Sequence, residues 1–249
     1  MTRLIRFGFL TIGLIGALGT RALAQGDEAR TIVEKAVQTH GGEKLLKAQA
    51  VHLKEKVTIE GKKLILMFET WVKFPDRIKT TTQFDVAGVN TTTAIVYDGK
   101  KCWTQVNNET SEAEAKVLKM QIIHLHTQRV VSLTFLKDKG YELSPLGEIK
   151  LDGRAALGVR VQLKDRPDIN LYFDKATNLL AKMERRPVDV SSGQEITEER
   201  YFKDYKEAKG VKYPTRIVIH RDGKQFSESE VAEYQVLEEG FADDVFAKP

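Results

Sequence analysis

The side chains that could do chemistry are scattered along this sequence. Its five histidines stand at unrelated places: His40, His52, His124, His126 and His220. His124 and His126 are two residues apart, which on a helix turns them about 200° away from each other. Zinc held by a helix requires a spacing of three or four residues and a third ligand. We therefore predict a structural or surface role for this pair, and no metal site.

Carboxylates form two clusters that could be considered as acid/base pairs. They are Glu195, Glu198, Glu199 and Asp204, and Glu228, Glu230 and Glu233. On strands, such clusters are more often solvated faces, which is the interpretation we favour. The sequence contains no Gly-rich phosphate loop, no G-x-S-x-G, no H-E-x-x-H and no C-x-x-C. We expect neither catalysis nor a cofactor.

The single cysteine, Cys102, excludes an internal disulfide. It lies in Lys101–Val106, a segment rich in strand-forming residues. No histidine with an orienting acid stands near it in the sequence, so we predict a small buried hydrophobe and not a nucleophile.

The first 24 residues have the layout of a cleavable signal peptide. Arg3 and Arg6 precede a short apolar run, and small residues at 22–24 form an A-x-A-like site. The run is too short for a membrane span, which needs about 20 residues. The three arginines of this segment account for most of the net charge of +4. The predicted mature chain, 25–249, is therefore nearly neutral, which argues against nucleic-acid binding.

The elements of the mature chain are mostly strands. Apolar residues at helical spacing predict a helix over 28–40, with Asp27 as its N-cap and Gly41-Gly42 as its stop, and a short turn follows at 43–48. Alternating apolar and polar residues then predict the following strands: 51–60, 63–74, 77–86, 90–97, 101–106, 142–151, 154–164, 168–174, 179–186, 197–205, 215–221 and 229–237. The pairs Asp98-Gly99, Asp152-Gly153 and Asp222-Gly223 predict tight hairpins with positive φ at glycine.

The segment 109–136 interrupts the strands. Glu112–Lys116 is strongly helix-forming, and the residues that follow are apolar on more than one side. Such a helix must be covered by other elements, so we predict a plug or lid lying across the sheet, with 130–136 ending it or forming a second short helix.

These elements predict one α+β domain, mainly β. A large antiparallel sheet with one apolar face cannot stay flat, so we expect it to curl into an incomplete β-barrel with helices covering its concave face.

The chain resembles the LolA/LolB-like superfamily of periplasmic lipoprotein carriers. The resemblance rests on a helix ending in His40-Gly41-Gly42, on Leu171–Leu180 (LYFDKATNLL) and on Gly210–Thr215 (GVKYPT). It implies a half-barrel over 25–249 whose hydrophobic cavity receives acyl chains. Because no lipidation cysteine follows residue 24, the chain is similar to the soluble carrier type.

This resemblance implies a periplasmic carrier or binding protein for lipid or acylated lipoprotein. The alternative is an envelope scaffold or protein-binding module with the same fold and no lipid cargo. Partners would then be a lipid, a lipoprotein, or an envelope or outer-membrane protein; we expect a monomer. The candidate cavity-lining residues are those on the apolar face of their predicted strands, which we expect to be the concave face: Leu64, Leu66, Phe68, Phe84, Leu171 and Phe173.

Overall fold

The computed structural model describes residues 17–62, 64–189 and 192–249, with side chains from Gly26 onward except at 86, 136 and 137. Most of the predicted signal peptide, residues 1–16, lies outside the described residues. No helix within the described ranges is both long and apolar enough to cross a membrane.

The first helix, α1, is longer than the sequence analysis predicted. It spans Ala17–His40, and the Asp27 carbonyl oxygen accepts a hydrogen bond from Thr31 Oγ1 at 2.8 Å inside it. The predicted N-cap at Asp27 is therefore wrong for the full chain, because the Ala- and Leu-containing residues before it are good helix formers. The predicted stop is confirmed: Gly42 has φ of 55°, and helix α2, Glu43–Lys47, follows.

Thirteen strands in the described part of the chain form one antiparallel sheet. Their bounds are β1 Ala50–Ile59, β2 Leu64–Lys73, β3 Arg77–Val86, β4 Val89–Tyr97, β5 Cys102–Val106, β6 Glu109–Glu112, β7 Tyr141–Leu151, β8 Arg154–Leu163, β9 Ile169–Asp174, β10 Leu180–Arg185, β11 Glu198–Ala208, β12 Val211–Arg221 and β13 Lys224–Leu237. The remaining helix, α3, spans Ala115–Val131, and 3₁₀ turns lie at Thr134–Lys137 and Asp243–Phe246.

The order of the strands explains the position of α3. The sheet runs β6-β5-β4-β3-β2-β1-β13-β12-β11-β10-β9-β8-β7, so two meanders meet where β1 pairs with β13. Strands β6 and β7 form its two outer edges. The chain must therefore pass from one edge to the other between them, and α3 makes that crossing over the concave face. The sheet is curled and not closed into a barrel, as predicted.

Two local predictions in the first meander are wrong. Glu112 belongs to β6, which pairs with β5, so the helix starts three residues later than its composition suggested. Gly99 has the predicted positive φ, 98°, but Asp98-Gly99 is not a two-residue turn, because Tyr97 pairs with Cys102 across four loop residues. The Asp98 carboxylate accepts hydrogen bonds from the backbone N–H groups of Lys100 and Lys101, and this favours the longer loop.

The other two Asp-Gly hairpins are confirmed. Asp152 and Gly153 have φ of 49° and 80°, and Asp222 and Gly223 have φ of 46° and 77°. Positive φ at both central residues is the geometry of the type I′ turn, whose twist matches that of antiparallel strands.

The main hydrophobic core lies between α1 and the β7–β12 half of the sheet. Ala29, Val33, Ala36 and Val37 on α1 pack against strand residues that include Val159 and Leu171. Cys102 is also buried, as predicted, and burial raises the pKa of its thiol to about 11. This packing leaves the β1–β4 half of the concave face to α3.

Candidate functional site

Helix α3 lies against the concave face with two sides buried. Leu125 packs with Val51, Val72 and Ile78 on strands β1 to β3, while Val130 joins the main core. The helix is thus covered as predicted, and it separates the concave face into a closed part beneath it and an open part beyond it. We call α3 the lid.

The closed part is a small apolar cavity of about 60 Å³. Gln128 and Val131 of the lid form one wall, and Leu45 of α2 forms another. Most of its remaining lining comes from the sheet: Leu53, Leu180, Phe202, Tyr205, Val211, Ile217, Val231 and Tyr234. Ligand pockets for organic molecules usually measure about 300–1,000 Å³. At this volume the cavity cannot hold an acyl chain unless the residues that line it move.

Four of the predicted cavity residues line the open part. Leu66 pairs with Phe84 across β2 and β3 and with Val57 of β1. Leu64 and Phe68 have the same parity as Leu66, and all four predicted side chains are half-buried. We call Leu64, Leu66, Phe68 and Phe84 the open trough. Their place on the concave face agrees with the prediction, and their contact with a ligand stays a prediction.

The other two predicted residues lie elsewhere. Leu171 is fully buried and Phe173 is 2% exposed, and both belong to the core packed under α1. They do not line the 60 Å³ cavity. The structure thus divides the six predicted residues between a packed core and an open surface.

A partly buried cluster of charges lies next along β11 from Phe202, which lines the cavity, and we call Arg185, Glu198, Arg200 and Arg221 the arginine cluster. The Glu198 Oε1 atom accepts hydrogen bonds from Arg185 Nε at 2.9 Å and from Arg200 Nε and Nη2 at 3.1 and 3.0 Å. Arg221 Nη2 lies 3.7 Å from Glu198 Oε2. The Glu198 side chain is 4% exposed, so three guanidinium groups converge on one buried carboxylate.

The electrostatics of the cluster follow from this arrangement. Burial opposes the ionised form of Glu198, but Arg200 and Arg185 outweigh it and lower the pKa of the carboxyl to about 2. Burial and the neighbouring Arg200 lower the pKa of Arg185 to about 10. Glu55, which Arg200 also influences, has its pKa raised by burial, although Ser229 hydrogen bonds to it. Three guanidinium groups thus surround the ionised Glu198, and Arg221 also lies 3.8 Å from Asp189 Oδ2.

The lid contacts the arginine cluster directly. Arg185 Nη1 donates a hydrogen bond of 3.0 Å to Thr127 Oγ1 on α3. One turn earlier, His124 Nε2 lies 3.0 Å from Gln128 Nε2. Burial, with Arg200 and Arg185 nearby, lowers the pKa of His124 to about 3, so its neutral ring accepts this hydrogen bond. The Arg185 to Thr127 hydrogen bond thus joins the lid to the sheet, in addition to the packing of Leu125.

His126 points to a different neighbour from His124, as their spacing predicted. Its ring stacks on Tyr141 with centroids 5.9 Å apart, and burial lowers its pKa to about 4. Within the described residues no group of three or more potential ligands is placed to hold a metal ion.

A second cleft, of about 400 Å³, lies on the other side of Leu180 and Phe202. Its charged rim residues have ion-pair partners, which for Asp204 is Arg216 outside the cleft. Arg154 Nε lies 2.8 Å from Asp174 Oδ2, and Lys203 Nζ lies 3.4 Å from Asp152 Oδ2. The cleft thus offers little unpaired charge to a ligand.

The sequence analysis missed the arginine cluster and assigned Glu198 to a solvated face. That assignment is wrong, because Glu198 is 3% exposed. The sequence did contain a signal for the cluster, because residues two apart on a strand lie on the same face. Arg200 and Glu198 share a face of their strand with buried Phe202, and Arg185 shares one with buried Met183. Charged residues at apolar positions of a strand are unusual and mark polar function inside the fold.

Three solved structures share this architecture over most of their own length and most of this chain. One is a LolA superfamily protein from Nitrosomonas europaea, with a TM-score of 0.55 and 13% identity, covering 88% of this chain and 97% of the other. The chain has the LolA-type fold. A DUF1329 family protein from Desulfovibrio piger gives a TM-score of 0.56 at 15% identity, covering 88% and 97%. A domain described as lipoprotein-sorting, from Vibrio parahaemolyticus, gives 0.55 at 12% identity, covering 90% and 97%.

No protein-family model matches the amino-acid sequence, and no curated protein matches it. The similarity is thus one of fold, and the function must be argued from the concave face.

Proposed function

We propose that this chain is an exported, periplasmic carrier for lipid or acylated lipoprotein that performs no catalysis. Acyl chains would lie on the concave face, in the open trough and in the cavity beneath the lid. The LolA-type fold supports a carrier, and the predicted signal peptide at residues 1–24 supports export.

The observation that carries the proposal is the continuity of the apolar floor. Phe202 and Ile217 line the cavity, and the same row of the sheet continues through Val57 to Leu66 and Phe84 in the open trough. Only Ser229 interrupts the apolar side chains of this row. A floor that runs from under the lid to an open surface gives an acyl chain a path that an ordinary closed core does not have.

Loading would require the lid to move. The cavity of about 60 Å³ must enlarge several-fold to reach the usual size of a ligand pocket, about 300 Å³ or more. The contacts to be broken include the packing of Leu125 and Val130 and the Arg185 to Thr127 hydrogen bond. Thr127 is fully buried and the Arg185 side chain is 12% exposed, and a hydrogen bond from a charged group is worth about 1.5–3 kcal/mol, so cargo binding would have to supply part of the energy of opening.

The test is titration of the purified protein with a fluorescent fatty acid. Phe84→Asp should keep the fold, because this half-buried side chain lies where water can reach the new carboxylate, and should weaken binding at least about fivefold. Lys164→Asp, an exposed change just after β8, should leave binding unchanged. Failure of the native protein to bind any such probe would remove the carrier proposal.

A further inference from the structure

We propose that the arginine cluster binds the acidic headgroup of an amphiphile, a carboxylate or a phosphate, whose apolar chain lies along the concave floor. This inference rests on the proposed carrier function and names the class of cargo. It follows from the position of the cluster, from its imbalance of charge and from its accessibility.

The cluster lies on the same face as the apolar path. Arg200 pairs with Ile219 of β12, and that row of the sheet continues through Ser227 and Ile59 to Leu64 of the open trough. Two residues further along β11, Phe202 lines the cavity. A ligand with its chain on this floor therefore brings its headgroup next to Arg200.

The charges at this place do not balance. Arg185, Arg200 and Arg221 face Glu198, and the other nearby carboxylate partner is Asp189, 3.8 Å from Arg221 Nη1. Burial raises the pKa of the Glu55 carboxyl, while Arg200 and Ser229 oppose that shift. A buried excess of positive charge is costly unless it is paired. An anion from the ligand would supply the missing partner.

The donors are also available. Arg221 Nε is buried without a hydrogen-bond partner among the described residues. The side chains of Arg200 and Arg221 are 19% and 35% exposed, against 4% for Glu198. A headgroup arriving along the floor can reach these guanidinium groups, whose planar donors suit both carboxylate and phosphate oxygens.

Two matched pairs of ligands test the inference by competition against a fluorescent fatty-acid ester. Oleate is compared with oleyl alcohol, and dioleoyl phosphatidylglycerol with dioleoyl phosphatidylcholine. We expect the native protein to prefer the anion of at least one pair by about tenfold, equivalent to about 1.4 kcal/mol. Preference in the oleate pair alone assigns a fatty-acid carboxylate, and preference in the phospholipid pair alone assigns a phospholipid whose phosphate is not neutralised by a headgroup cation.

Variants then locate the effect. Arg200→Gln should reduce the preference to threefold or less, while Arg160→Gln, an exposed arginine on the opposite face of β8, should keep it at tenfold. If Arg200→Gln does not fold, Arg221→Gln, at the more exposed side chain, takes its place. Equal binding of both members of both pairs overturns the inference but leaves the carrier proposal standing, whereas binding of none of the four removes both. A loss of preference in Arg160→Gln equal to that in Arg200→Gln would also overturn it.

Discussion

Replacing Glu198 with glutamine removes the buried negative charge on which three arginines converge. Glutamine has nearly the same shape and keeps one oxygen as a hydrogen-bond acceptor, so the packing around it is preserved. Arg185 and Arg200, whose side chains are 12% and 19% exposed, lose their carboxylate partner. Removing one partner of a buried ion pair costs about 3–5 kcal/mol. Because one acceptor oxygen remains, we expect a loss at the low end of this range, about 3 kcal/mol, in the free energy of unfolding.

Urea unfolding followed by circular dichroism measures this loss. Glu195→Gln is the matched control, because Glu195 pairs with Arg186 at 3.9 Å on an exposed surface, where such pairs contribute about 0–1 kcal/mol. The double variant Glu198→Gln/Arg200→Gln should recover part of the stability, since it removes one of the uncompensated charges. A loss below about 1 kcal/mol for Glu198→Gln, or no recovery in the double variant, would refute this account of the cluster.

Three further changes test other parts of the fold. Gly153→Val places a β-branched residue at φ of 80° with open space around it, so strain of about 1 kcal/mol or more should lower the melting temperature; an unchanged value contradicts the hairpin assignment. Burial lowers the pKa of His40 to about 4, so the unfolded chain takes up this proton first and stability falls as the pH drops below about 6.5. Between pH 7 and 5 this costs about 2 kcal/mol, and His40→Gln should flatten the urea–pH profile by that amount. Thr127→Val removes the acceptor for Arg185 at 3.0 Å. Because this hydrogen bond has a charged donor, its loss should speed amide hydrogen exchange in α3 about tenfold, the equivalent of about 1.5 kcal/mol; protection equal to that of the native protein would show that the hydrogen bond does not hold the lid.

Most of the fold could be predicted from local patterns. Alternating apolar residues such as Leu64, Leu66 and Phe68 identify the strands and the face they bury, because strand side chains have a period of two. The apolar surface of α3 on more than one side correctly indicates a covered helix. These patterns are local, so they can be recognised from a single sequence without knowledge of which segments contact each other.

The missed features depend on partners distant in the sequence. Glu109–Glu112 becomes a strand only because β5 offers a free edge, which overrides the helix-forming tendency of Glu112. Glu198 is buried because Arg185, Arg200 and Arg221 approach it from three strands, and the sequence gives no distances between them. Parity could not separate Leu171, packed under α1, from Leu66 in the open trough, since both are apolar positions of strands.

If the carrier proposal holds, the concave face contains acyl chains when the protein is in its native compartment. The most direct measurement is mass spectrometry of protein purified from its native compartment without detergent. Organic extracts identify the bound lipid, and native mass spectrometry of the intact protein gives the number of lipid molecules per chain. We predict an acyl lipid at about one molecule per chain that is reduced in Phe84→Asp and retained in Lys164→Asp. Protein that carries no lipid and takes up none when lipid is added would contradict the claim.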